Sequence, residues 1–162
     1  MANARIGSHP SHGYQVVETI TTTKQLDRND SGKFLMVDNT NAFTIHLPKL
    51  STEIAGWNCR FIVSVNGSND VTIAAHGVPA TGGGASYVDA DSIYFREFSS
   101  AKNTSGSYTQ DEESGAYTNT QDAFTIKAAS IANDQFEVFT DGTSWFVTAT
   151  LHQIAHADDV DG

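Results

Sequence analysis

Apolar side chains recur at every second position in short runs along this chain, and turn-forming residues separate the runs. Trp57, Cys59, Phe61, Val63 and Val65 share one phase, as do Phe43, Ile45 and Leu47, and Val71, Ile73 and Ala75. Such alternation places one set of side chains on one face of an extended strand and the intervening set on the other. A helix needs apolar residues three and four apart, and only one turn near Lys49–Ala55 offers anything helical. The pattern predicts an all-β chain.

Composition narrows the class further. At 162 residues the chain is long enough for one domain with a core of its own. Charged residues make up only 17%, while aromatics reach 10% and apolar residues 39%. Few charges speak against a helical bundle, and plentiful aliphatics and aromatics speak against disorder. Net charge is −10 and the pI is near 4.7, a balance that repels nucleic acid. No apolar run approaches the roughly 18 residues of a membrane span, and the first residues lack the apolar core of a signal peptide. The expectation is no nucleic acid and no membrane. A single cysteine excludes an internal disulfide framework, and the phase of Cys59 puts its thiol inside.

Residues 1–13 carry one aliphatic side chain, Ile6, among Gly, Ser, His, Pro and Asn, and read as an extended arm. A single domain follows over 14–153. About nine strands are expected: Tyr14–Thr23, Lys33–Asp38, Ala42–Leu47, Trp57–Val65, 71–75, Ser92–Phe98, Asp122–Ala128, Gln135–Thr140 and Ser144–Gln153. Asn66-Gly67-Ser68-Asn69 reads as a hairpin turn, and Asp141-Gly142 as a two-residue one. His76–Ser86, with Gly82-Gly83-Gly84, reads as a flexible excursion. The polar stretch 99–121 reads as a second excursion or a long surface hairpin. Residues 154–162 form an acidic tail. Trp57, Phe61, Val63, Ile73, Phe95, Phe136, Val138, Trp145 and Val147 are the expected core. Short strands with turns between them point to an antiparallel β-sandwich or a jelly-roll-like single domain.

Each candidate chemistry has a plainer explanation. Asp27, Asn29, Ser31, Gly32 and Asp38 match positions one, three, five, six and twelve of a calcium loop. The flanks read as strands, however, and a β-turn uses the same letters. The pairs His9/His12 and His152/His156 lack a third ligand nearby for zinc. Asp111-Glu112-Glu113 and Asp158-Asp159 sit in polar runs where solvated charge is the default. There is no Gly-x-Ser-x-Gly elbow, phosphate loop or dinucleotide fingerprint. The sequons at Asn29, Asn66 and Asn103 are those expected by chance in an Asn-, Ser- and Thr-rich chain. No enzyme, no cofactor and no metal is expected.

The framework Thr23-Lys24-Gln25-Leu26, Asn29-Asp30-Ser31-Gly32-Lys33-Phe34-Leu35 and Phe43-Thr44-Ile45-His46-Leu47-Pro48 is followed by Gly56-Trp57 with Phe61-Ile62-Val63. Asn133-Asp134-Gln135-Phe136-Glu137-Val138-Phe139 and Thr140-Asp141-Gly142-Thr143-Ser144-Trp145-Phe146-Val147 close it. This order resembles small virion structural proteins of tailed bacteriophages: head decoration (cement) proteins and β-rich domains appended to tail fibres and spikes. The resemblance covers most of residues 19–151 and departs at 99–121. It implies a capsid decoration protein on the phage head surface, a homotrimer whose other partner is the major capsid protein.

Candidate interface residues are Arg5, Ile6 and His9 in the arm, Tyr14 where the arm meets the domain, and Tyr108 and Tyr117 in the polar stretch. The alternative is a tail-fibre or spike module that binds a bacterial surface glycan. It would need exposed aromatics over a shallow groove, for which Tyr87, Tyr94, Tyr108 and Tyr117 are the candidates. A fibre is also expected to add a repetitive shaft, so the length favours decoration.

Overall fold

The computed structural model describes residues 16–66, 68–79, 85–87, 93–102, 108–111, 123–152 and 157–160. Fourteen strands lie among them: β1 (Val17–Ile20), β2 (Lys24–Gln25), β3 (Phe34–Val37), β4 (Phe43–His46), β5 (Asn58–Val63), β6 (Val71–Ala74), β7 (Gly77–Pro79), β8 (Ala85–Tyr87), β9 (Ile93–Lys102), β10 (Tyr108–Asp111), β11 (Ala123–Ile126), β12 (Gln135–Thr140), β13 (Trp145–Leu151) and β14 (Ala157–Val160). Among the described residues, two short 3-10 turns, Arg28–Asp30 and Thr52–Ile54, are the only helical pieces between them. The second falls where the sequence offers its one helical turn. The chain is all-β.

One sheet has seven strands in the order β1-β3-β5-β12-β13-β9-β10, and a second has five in the order β14-β11-β6-β4-β2. Strands β7 and β8 pair by themselves. Both large sheets are mixed, which corrects the antiparallel expectation. From β1 to β6 the chain alternates between the two sheets, so each strand returns beside its predecessor in the same direction. Pairs β1/β3, β3/β5, β2/β4 and β4/β6 are therefore parallel. Strand β9 also runs parallel to β13, whereas β12 is antiparallel to both β5 and β13.

The same alternation overturns the hairpin expected at Asn66–Asn69. Strands β5 and β6 do not pair, because the turn carries the chain from one sheet to the other. Its corner is fixed on a neighbouring turn: the backbone N–H of Asn69 donates to the Asn39 carbonyl at 3.1 Å, and Asn69 Nδ2 donates to the Thr40 carbonyl at 2.7 Å. The turn signal specifies a bend and leaves the pairing partner open.

Between β12 and β13 the expected hairpin forms, with Thr140 opposite Trp145 and a four-residue loop rather than a two-residue one. Asp141 Oδ1 accepts from the backbone N–H groups of Thr143 and Ser144 and from the Thr143 hydroxyl. The hydrogen bonds from Thr143 lead in holding the Asp141 carboxyl below its usual range. Gly142 has φ of +95°, a left-handed conformation that an L side chain resists.

One continuous apolar cluster draws on both large sheets. The rings of Phe124 in β11 and Phe136 in β12 stack at 5.5 Å. Trp57 and Trp145 meet edge to face at 5.2 Å, and Trp57 Nε1 donates to the Asp27 carbonyl at 3.0 Å. Trp57, Phe61, Val63, Ile73, Phe136, Val138, Trp145 and Val147 are all buried, as their phase requires; the side chain of Phe95 lies outside those described.

In the polar 99–121 stretch the hairpin alternative is the one that forms among the described residues: β9 extends into it and returns as β10, with Asp111 opposite Ser99 and Tyr108 opposite Lys102. Two other polar segments differ from expectation. Part of the expected excursion at 76–86 is strand β7 and the start of β8. Within the expected acidic tail, β14 adds an edge strand against β11, Asp158 facing Thr125 and Asp159 facing Phe124 in register.

Candidate functional site

The calcium-like spacing at Asp27 resolves into a capped turn. Asp27 accepts from the Asn29 N–H at 2.7 Å, while Asp30 Oδ2 accepts from the Asp27 N–H at 2.8 Å, a reciprocal capping box. The other Asp30 oxygen, Oδ1, accepts from Lys33 Nζ at 2.6 Å. Glu18 on β1 bonds both Lys33, at 2.9 Å, and Lys24 of β2. The hydrogen bond from Lys24, then that from Lys33, lowers the Glu18 pKa; the bond to Asp30 leads in raising that of Lys33. These four side chains tie β1, β2 and the approach to β3 together. They are a structural clasp.

Cys59 is buried, and burial pushes its thiol well above the usual range, which keeps it in the weakly nucleophilic thiol form. His152 Nδ1 lies 2.8 Å from Oδ1 of the fully buried Asp134, whose carboxylate also accepts from the backbone N–H groups of Ile131 and His152. Among the described residues, no group of three or more His, Cys, Asp or Glu side chains could hold a metal ion.

The outer face of the seven-stranded sheet carries the most distinctive constellation. Strand register puts Asn58, Phe139, Phe146 and Tyr94 side by side on four successive strands. The Phe139 and Phe146 rings stack at 5.1 Å with planes 19° apart, and Phe146 and Tyr94 at 5.5 Å with planes 13° apart. Two residues along, Phe34, Arg60, Glu137 and Thr148 form a parallel row. The Arg60 guanidinium lies 5.4 Å from the Phe34 ring centre and donates to Glu137. Where the two rows meet β5 they line a half-open groove of about 230 Å³, bordered by Lys33, Phe34, Asn58, Arg60, Glu137 and Phe139 among others. Phe139 is 46% exposed. Phe146 covers one face of its ring, so the other face is turned toward Asn58 and the groove.

Of the tyrosines considered for stacking, the structure brings Tyr94 into this row. Tyr108 begins β10 and Tyr87 ends β8. Arg5, Ile6, His9, Tyr14 and Tyr117 lie outside the described residues. Sequence reasoning missed Phe139 and Phe146, although the signal was present. With Phe136 and Val138 inward, period two turns Glu137 and Phe139 outward, and Trp145 with Val147 does the same for Phe146.

The other exposed large apolar side chains among the described residues are Val16 and Val17, at 47% and 61%. They stand just before and at the start of β1, the edge strand of the larger sheet, which among the described residues has β3 on one side only. Comparison with known proteins adds nothing to these features: no family model, curated protein or solved structure matches the chain.

Proposed function

We propose that this chain is a non-enzymatic virion structural protein of a tailed phage, a head decoration protein that fastens the shell through contacts between subunits. The observation that carries the reading is the β1 edge. An edge strand has a row of backbone N–H and C=O groups without a ladder partner, and native proteins protect such edges with charge, proline or cover. Here the edge begins with two exposed valines, Val16 and Val17, a few residues after the segment read as an arm. That combination suits strand addition by, or docking against, a neighbouring subunit. The resemblance in strand and turn order points the same way.

The finer architecture belongs to the same proposal. The Phe124–Phe136 stack and the shared core favour two sheets packed face to face as a sandwich. A homotrimer that contacts the major capsid protein is the assembly the resemblance implies.

The test is binding of the purified chain to heads that lack it. Wild-type chain should decorate them, and Val17→Lys should weaken decoration by about tenfold or more, the equivalent of ~1.4 kcal/mol, without lowering the thermal midpoint. Equal decoration by both would remove the β1 edge from the account. A second reading, a tail-fibre or spike module that binds a bacterial surface glycan, is favoured by the outward aromatic row.

A further inference from the structure

The geometry points to the groove between Phe34 and Phe139 as a binding site for a neutral saccharide. This is independent of the decoration reading and deepens the second one, on which it rests, by assigning the glycan a site on this chain and a neutral charge class.

Three observations carry it. First, Phe139 offers one ring face to the groove while its other face is fixed against Phe146. An aromatic face held still by its neighbour loses little freedom on binding, and the C–H-rich face of a sugar ring complements it. Second, the polar groups around that ring can hydrogen-bond hydroxyls in both senses. Arg60 donates, Glu137 accepts, and Asn58, which also lines the groove and whose Nδ2 bonds the Gly56 carbonyl at 3.1 Å, carries an Oδ1 that can accept.

Third, the charges in the groove are already balanced. Arg60 pairs with Glu137, and Lys33 pairs with Asp30 and Glu18. An anionic ligand would find no unpaired cation among these residues, and a cationic ligand no unpaired carboxylate. A neutral polyhydroxylated ligand needs neither.

The experiment is a titration of the full, isotopically labelled chain followed by NMR. The probes are maltotriose, cellotriose, chitotriose and mannotriose, with inorganic phosphate and trigalacturonate as anionic controls. At least one neutral trisaccharide should shift the resonances of Asn58, Arg60 and Phe139 and saturate with Kd of about 1 mM or below. Phe139→Ala should weaken that binding by about tenfold or more, and Phe139→Trp should retain it. If Phe139→Ala does not fold, Phe139→Leu keeps the bulk, removes the ring face and should show the same loss. No shift at these residues with any neutral probe, undiminished binding by Phe139→Ala or Phe139→Leu, or tighter binding of an anion would each overturn the proposal. None of these results bears on head binding, so this site and the decoration reading fail separately.

Discussion

Phe124 and Phe136 stack with ring centres 5.5 Å apart and planes 26° apart, and they belong to different sheets. Both rings are fully buried. Phe136→Ala should therefore remove contacts on both sides of the core and cost about 3–5 kcal/mol. Urea unfolding followed by tryptophan fluorescence measures it. A loss well below 1 kcal/mol would mean that the sheets do not depend on each other through this pair.

The clasp of Glu18, Lys24, Lys33 and Asp30 makes stability depend on pH at both extremes. The folded-state pKa of Glu18 is depressed, so its contribution is complete above the ordinary carboxylate value and is lost as pH falls through the depressed one. Lys33 is raised, so its contribution is complete below the ordinary lysine value and is lost as pH rises through the raised one. Thermal midpoints of wild type and Glu18→Gln should differ at neutral pH and converge in acid. A constant difference down to the lowest pH would show that the carboxylate charge is not what matters.

Gly142 fills a place that no other residue suits. A Cβ there would lie 2.9 Å from the Ser51 carbonyl oxygen, on top of the left-handed backbone. Gly142→Ala should cost about 1–3 kcal/mol by strain alone. Equilibrium denaturation decides, and a neutral effect would mean that the Ser51 segment yields freely.

Deleting residues 1–13 should leave a folded chain, because the described buried core begins at Ile20. Head binding should fall. Circular dichroism and a head-binding assay on the same preparation check both halves, and normal decoration by the truncated chain would dismiss the arm.

Much of the core was legible because period two reads the same wherever a strand is placed. Phe136, Val138, Trp145 and Val147 could be assigned inward without any knowledge of the topology. For that same reason strand direction was not legible: Ile45 and Ile73 are neighbours in a parallel pair, yet their spacing would serve an antiparallel one equally well. The Asn66–Asn69 turn misled because its letters encode a bend, while the choice of sheet rests on long-range packing. Strand β14 was hidden because edge pairing runs through the backbone, which Asp158 and Asp159 supply as well as any residue. The aromatic row needed the register of β9, β12 and β13 before Tyr94, Phe139 and Phe146 could be seen as neighbours.

The most direct test of the decoration reading is the rupture temperature of phage heads stripped of this chain, measured alongside adsorption to host cells. A protein that binds only the assembled shell stabilises it through its greater affinity for that state. Stripped heads should rupture at a lower temperature, regain wild-type rupture when the chain is added back, and belong to particles that still adsorb. An unchanged rupture temperature, with adsorption lost instead, would contradict the account and leave the tail-module reading in its place.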